Sequence, residues 1–395
     1  MPSALFPTHK RVDLSFERGE GAYLFGSDGQ KYLDFFSGIA VTGLGHAHPH
    51  LVATACRYAD RVWHISNNFR IPEQERLAER LAAHSFADNV YFCSTGLEAA
   101  EGAIKMARRA QYTAGSPDKV NIITVQGAFH GRSLAGLAAT NNAQYLEGFG
   151  PRTPGFSQVP FNDLKALEAA LGADTAAVML EPIQGEGGIR RTPLDYLRAV
   201  RALCDRTGTL LIFDEVQCGM GRSGRLFAYE WSNIAPDIMM LAKGLGGGFV
   251  IGAILATKEI SACMVPGTHG STFGGNPFAT AIANAVLDIM IEPSFLAHVR
   301  DMSTLLRAGL ANLVKKYGHV FSEVRGVGLL VGLKCCIPNN QCVAAAREMG
   351  LLTHVAGDNV LRLMPPLIVE PTHISEALEM LDAVAMRVSE ETASA

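Results

Sequence analysis

The sequence predicts an α/β protein: a large, mostly parallel sheet covered by helices, followed by a smaller α/β region. Three observations carry this. First, short continuous apolar runs recur, among them Val90–Cys93, Val120–Val125, Ala176–Leu180, Thr209–Phe213 and Ile238–Leu241. Strands buried on both faces of a parallel sheet read this way. Second, helical patterns separate the runs, such as Pro72–His84 with Leu77 and Leu81 on one face and Glu75, Arg76, Glu79 and Arg80 on the other. Third, the alternation changes character after Asn284, where a helical stretch leads into a second, shorter set of strands and helices.

Taken in order, Gly21–Phe36 alternates apolar and polar residues around Ser27-Asp28-Gly29, a hairpin signal. Gly45-His46-Ala47-His48-Pro49-His50 places histidines at alternate positions. Pro49 opposes a continuing strand and no neighbouring ligand completes a set, so no metal site is expected. The strand Val90–Cys93 runs into Ser94-Thr95-Gly96-Leu97 and a helix opening at Glu98, the arrangement that offers backbone N–H groups to a phosphate. A plain helix cap by Ser94 or Thr95 is the simpler alternative. Thr192-Pro193 predicts a helix start with Thr192 as cap, and Gly208 suits its end. Beyond 284 the pattern predicts one helical segment from Ala285 to Gly318, a strand-like run Val324–Leu333, a helix Gln341–Met349, a strand Val360–Met364 and a last helix from about His373 to Glu390. The expected organisation is an N-terminal segment 1–45 joining a small domain 285–395, with a large domain at 46–284.

Composition narrows the function. The 395 residues are 48% hydrophobic and 18% charged, enough for a large core. A net charge of -4 argues against nucleic acid or an anionic membrane as partner. No apolar run spans a bilayer, and the start Met1–Phe6 lacks a leader pattern. Eight scattered cysteines with neither CxxC spacing nor a disulfide framework fit a reducing cytoplasm.

The chemistry centres on Ile238–Phe249, an apolar run that closes on Lys243 and breaks into glycines. A buried ammonium is costly. The plain reading is a lysine whose head reaches solvent. The functional reading is a desolvated lysine, with lowered pKa and a free amine able to condense with a carbonyl. Asp214-Glu215 closes another strand, and in parallel sheets ligands sit at such carboxyl ends. The Ser94–Leu97 turn, Asp214 and Lys243 therefore share one rim. Gly219-Met220-Gly221-Arg222-Ser223-Gly224 matches a dinucleotide fingerprint, but Asn233 and Pro236 break the required helix and Asp237 begins the next strand instead of ending it. Pyridoxal phosphate accounts for more: it needs a lysine, an acid for its pyridine nitrogen and a phosphate cradle. If the strand continues, Asp214 and Glu215 point to opposite sides, and spacing alone does not choose between them.

Four motifs then carry a family resemblance: Phe213–Arg222, Leu241–Gly248, His269–Pro277 and Gly127–Arg132. The chain resembles the class III pyridoxal-phosphate aminotransferases over nearly its whole length, and within them the bacterial acetylornithine branch. The resemblance implies the fold type I architecture, Lys243 and Asp214 as catalytic residues, and Gln217 at the ring hydroxyl. It implies Val216 and Phe129 on the two ring faces, Thr95, Gly96 and Leu97 at the phosphate, and Thr272 completing that site from the partner of a homodimer. Arg132 would take the remote carboxylate of N2-acetylornithine. Arg362, masked by Glu186, would take the carboxylate of 2-oxoglutarate or glutamate. The turn departs from the usual Asn-Ser-Gly-Thr, losing a hydroxyl at Leu97; Cys218 and Val250 replace a threonine and a proline. Ser37–Val41 fits the acetylornithine branch, whereas ornithine, succinylornithine, 4-aminobutyrate and lysine-pathway enzymes share the catalytic core.

Overall fold

The computed structural model describes residues 4–393. Strands β1 (Phe16–Glu20), β2 (Tyr23–Gly26) and β3 (Lys31–Asp34) form an antiparallel meander, with the Asp28-Gly29 turn joining the last two. Next in the chain come β4 (Asn89–Cys93), β5 (Asn121–Val125), β6 (Phe156–Val159), β7 (Thr175–Leu180), and the short hairpin β8 (Ile183–Gln184) and β9 (Arg190–Arg191). They are followed by β10 (Leu210–Asp214), β11 (Ile238–Leu241) and β12 (Gly252–Ala256). Seven of these make one sheet in the order β4-β12-β11-β10-β7-β5-β6. Its pairings are parallel from β11 to β6, and only β12 runs antiparallel to both neighbours.

The central strands are buried throughout, as their unbroken apolar composition requires. Each fully buried Leu, Ile, Met or Phe there contributes about 1.5–3 kcal/mol. Helix Gly96–Thr113 lies on the sheet through Ala99, Ala100, Ala103 and Ala107, whose small side chains let it approach closely. Helix Leu194–Thr207 ends at Gly208, which takes the left-handed conformation (φ 62°).

The chain then leaves the large sheet. β13 (Phe321–Val327) and β14 (Leu330–Cys335) form a hairpin; β15 (Leu351–Leu352), β16 (His354–Ala356) and β17 (Val360–Leu363) follow. The second sheet has the order β13-β14-β17-β16, while β15 pairs in parallel with β3 and so ties the N-terminal meander to the C-terminal region.

Three local expectations are corrected. The segment Ala285–Gly318 is not one helix: Pro277–Met290 and Pro293–Lys316 meet at 71°, because Pro293 cannot continue the first helix and begins the second. Val324–Leu333 folds back on itself at Gly328 (φ 63°) to give β13 and β14. Thr192 does not cap its helix; Pro193 is the N-cap, and the Thr192 hydroxyl donates to the Glu181 carbonyl at 3.1 Å. The three alternate histidines diverge. His46 pairs with Asp34 and His50 with Asp288, while His48 caps the helix Pro49–Tyr58 by accepting from the His50 amide. Among the described residues no single helix is long and apolar enough to cross a membrane.

Gly328 also controls how the two sheets meet. Buried Arg222 donates to the carbonyls of Leu329 and Pro365, and its own carbonyl accepts from Leu329 N at 3.0 Å. A Cβ on Gly328 would lie 2.3 Å from the Arg222 carbonyl oxygen and 2.6 Å from the Ser223 Cα. Gly328→Ala should therefore cost more than the roughly 1–2 kcal/mol that left-handed backbone alone imposes. A fall in Tm with loss of activity checks this; an unchanged Tm would mean that the junction relaxes freely.

Candidate active site

The carboxyl ends of β4, β5, β7, β10 and β11 open on one edge of the large sheet, and a cavity of about 360 Å³ lies against them. Ser94, Thr95, Gly96 and Leu97 form one end of it. Thr95 is the N-cap of helix Gly96–Thr113, its hydroxyl accepting from Glu98 N at 3.2 Å. The first-turn N–H groups of Gly96 and Leu97 have no intrahelical acceptor, and they add to the positive end of the helix dipole. A Cβ on Gly96 would press on Val216 at 3.0 Å, so glycine keeps this turn close to the wall. The arrangement suits a phosphate.

Asp214 closes β10 and faces the cavity, while Glu215 turns away to accept from Ala228 N (2.6 Å) and Tyr229 N (2.7 Å). That choice, open on spacing, follows from the backbone donors waiting on the far side. Asp214 Oδ2 is 2.8 Å from His130 Nδ1, and its Oδ1 accepts from Val216 N at 3.0 Å. Glu181 completes a buried trio with His130 and Asp214. Burial, and then the charge of Asp214, push the Glu181 pKa well above the usual carboxylate value, against the N–H it accepts from Phe129. Asp214 is thus the carboxylate that β10 presents to the cavity.

Lys243 follows β11 with φ 44°, in the left-handed region where a Cβ-bearing residue is strained. Burial brings its pKa down to about 8, against the upward pull of Glu186. Opposite it, Arg362 on β17 is fully buried and forked onto Glu186, with Nη1–Oε1 at 2.5 Å and Nη2–Oε2 at 3.3 Å. Burial raises the Glu186 pKa, but the Arg362 charge and hydrogen bonds outweigh it and hold this carboxyl below its ordinary value. Gln217 joins the pair: its Oε1 accepts from Arg362 Nη1 at 3.0 Å and its Nε2 donates to Glu186 at 3.4 Å. At the mouth, the Arg132 guanidinium lies 3.7 Å from the Tyr145 ring centroid and 5.6 Å from that of Phe129.

Of the residues singled out from sequence, Thr95, Gly96, Leu97, Phe129, Arg132, Glu186, Asp214, Val216, Gln217 and Lys243 line this one cavity. Arg362 reaches it through Glu186. Thr272 does not line it; it is exposed, next to exposed Phe273. Sequence reasoning passed over His130, Glu181 and Tyr145 as site residues. His130 lies in the Gly127–Arg132 motif after β5 and Glu181 directly follows β7, so the strand-end rule applies to them as well. Tyr145 carried no sequence signal.

A lysine of lowered pKa, a carboxylate and an anion cradle on the carboxyl rim of such a sheet define a pyridoxal-phosphate enzyme of fold type I. The sequence profile described as aminotransferase class-III matches residues 6–385, and the chain belongs to that family: it is a pyridoxal-phosphate-dependent aminotransferase. It is 53% identical over 385 residues to an acetylornithine aminotransferase of Brucella melitensis, covering 98% of this chain and 96% of the relative. Among solved structures, the N-acetylornithine aminotransferase of Stenotrophomonas maltophilia is 39% identical with a TM-score of 0.85, covering 98% of both chains. The ornithine aminotransferase of Toxoplasma gondii is 31% identical with a TM-score of 0.94, covering 98% of this chain and 94% of that one.

The lowered Lys243 pKa has a measurable consequence. The neutral amine, not the ammonium, captures a carbonyl, and it predominates above pH 8 instead of above the usual lysine value near 10.4. In cofactor-free protein, the rate of borohydride-trapped pyridoxal phosphate incorporation should rise with pH with a midpoint about 8. A midpoint near 10 would mean that burial does not reach the amine.

Proposed function

We propose that the chain moves the terminal amino group of N2-acetylornithine to 2-oxoglutarate, yielding N-acetylglutamate 5-semialdehyde and glutamate. The observation that carries this reading is Arg362 forked onto Glu186, which lines the cavity. The reacting carbon of acetylornithine bears no carboxylate, so a bare guanidinium beside it would be buried and uncompensated. Glu186 supplies the missing anion. 2-Oxoglutarate brings its own carboxylate next to the reacting carbon, and it replaces Glu186 on Arg362 in the same two-pronged geometry. Arg132, exposed at the mouth with its guanidinium over the Tyr145 ring, binds the carboxylate at the far end of either substrate. The names of the relatives point the same way.

The remaining roles follow from position. Pyridoxal phosphate, when bound, supplies an electron-withdrawing ring that stabilises negative charge at the substrate carbon and carries the amino group between substrates. Asp214 would hold the proton on the ring nitrogen, Thr95, Gly96 and Leu97 would bind the phosphate, and Phe129 and Val216 would pack against the ring. Gln217 would donate to the ring oxygen, and Lys243 would hold the cofactor and move the proton at the substrate carbon. Thr272 stands exposed beside exposed Phe273, which suits a homodimer in which it completes the partner's phosphate site. Eight free thiols fit a reducing cytoplasm.

Single-turnover kinetics separates the two halves. Arg362→Ala should slow the 2-oxoglutarate half by about 100-fold or more, the scale of a lost charged clamp, and the acetylornithine half far less. Glu186→Gln should shift preference toward α-amino donors such as glutamate. Equal slowing of both halves by both substitutions would discard the switch. A panel of amine donors with 2-oxoglutarate tests the substrate itself: acetylornithine should lead, and a clear preference for ornithine or 4-aminobutyrate would reassign it.

Asp214→Asn tests the ring-nitrogen role. It keeps the shape and loses the charge, so turnover should fall by a factor of about 100–1,000 with little change in KM. Near-normal turnover would remove Asp214 from that role.

A further inference from the structure

Glu98 is bonded in two directions at once. Its Oε2 accepts from the backbone N–H of Ser94, the residue that opens the Ser94–Leu97 turn, and the Ser271 hydroxyl donates to the same oxygen at 3.3 Å. Ser271 immediately precedes Thr272. The rest of this segment lies on the same framework. His269 Nδ1 is 2.9 Å from Lys105 Nζ, one helical stretch along from Glu98. Gly274 rests on the β4 backbone so closely that a Cβ there would meet the Phe92 carbonyl oxygen at 2.4 Å and the Cys93 Cα at 2.9 Å. Asn67 fixes its far side by donating to the Gly274 carbonyl at 2.9 Å.

The segment that presents Thr272 is therefore built on the strand and helix that form this chain's own phosphate turn. A first-turn glutamate that reaches back to the backbone is ordinarily only a helix cap. That role accounts for the Ser94 bond and not for the Ser271 bond.

We propose that Glu98 is a positioning residue for two phosphate sites at once: its own, through Ser94, and the partner subunit's, through Ser271 and Thr272. The proposal rests on the homodimer reading of Thr272 given above. Displacing the turn in one subunit moves an oxygen that also holds the segment serving the other. The two cofactor sites are then energetically linked, and the linkage is reciprocal.

Hybrid dimers test this. One subunit is wild type; the other carries Lys243→Ala, alone or with a second change. Borohydride-trapped pyridoxal phosphate then forms only in the wild-type subunit, whose own turn and Glu98 are intact, and its dependence on cofactor concentration gives the Kd of that site. Adding Thr272→Ala to the other subunit should weaken binding through loss of the direct contact. Adding Ser271→Ala or Glu98→Ala there should weaken it about 3- to 10-fold, the scale of one lost hydrogen bond. Glu98→Gln, which keeps an acceptor oxygen, should restore it.

Ser271→Ala removes one hydroxyl and leaves the helix cap intact, so it decides the matter even where Glu98→Ala impairs folding. If Thr272→Ala acts across the dimer while Ser271→Ala leaves Kd unchanged, the coupling is overturned and the homodimer reading stands. If Thr272→Ala has no effect across the dimer, the homodimer reading falls, and the coupling with it.

Discussion

A guanidinium with no exposed surface must be neutralised where it stands, and the cavity is arranged around that demand at Arg362. Charges of both signs meet in a small volume: Arg362 is forked onto Glu186, and Glu186 and Asp214 both act on Lys243. A third carboxyl, Glu181, would leave the site with excess negative charge. Burial and the neighbouring Asp214 instead raise its pKa well above the usual carboxylate value, which favours its uncharged form. Its oxygens accept from Phe129 N and Gly185 N, fixing the loop under one wall of the cavity and the loop that leads to Glu186. The same low-dielectric setting that makes an unpaired charge costly strengthens the pairs that form.

Backbone strain collects in the same place. Ser37, Gly38, Ile39 and Ala40 have successive φ values of 48°, 58°, 68° and 62°, and Lys243 has 44°. Left-handed backbone costs about 1–2 kcal/mol for each residue with a Cβ. The Ser37–Ala40 turn is retained because Asp34, itself buried, accepts from Phe36 N and Ser37 N and is braced by His46 at 2.7 Å. The turn carries Val41 into the cavity wall, and the ring of Phe36 sets against His354, the cross-strand neighbour of Arg362. The histidine-rich stretch that resembled a metal motif contributes a brace for strained backbone instead.

How much of this was legible in the sequence depends on which physical rule governs each residue. Buried parallel strands announce themselves by unbroken apolar runs, and the strand-end rule puts the Ser94–Leu97 turn, Asp214 and Lys243 on one rim without further information. The choice of Asp214 over Glu215 was not readable from spacing, because it depends on the Ala228 and Tyr229 amides arriving from 13 and 14 residues away. β12 was missed because Gly252–Ala256 follows the glycine-rich loop without helical spacing or polar punctuation, and its antiparallel insertion is a matter of tertiary pairing. Pro293 and Gly328 are breakers set within apolar periodicity that continues on both sides of them, so the pattern alone runs through them. The second bond of Gln217, to Arg362, links residues 145 positions apart and has no local signature.

The site is assembled from two sheets, and this sets what must stay rigid. Asp214 and Lys243 stand on the large sheet and Arg362 on the small one, so the distance between the amine and the guanidinium is determined by the junction between them. That junction is Arg222, whose guanidinium is buried against the carbonyls of Leu329 and Pro365. Burial brings its pKa down to about 9, still high enough to keep it charged near neutrality. An apolar side chain could fill the space but could not satisfy two carbonyls at once, and each left bare would cost about 1–3 kcal/mol. Arg222 lies in the glycine motif that resembled a dinucleotide fingerprint. The glycines there, Gly221 and Gly224 with φ of 82° and 86°, turn the chain so that this arginine points across the junction instead of toward a nucleotide. One short motif thereby holds the Lys243 half of the site in register with the Arg362 half.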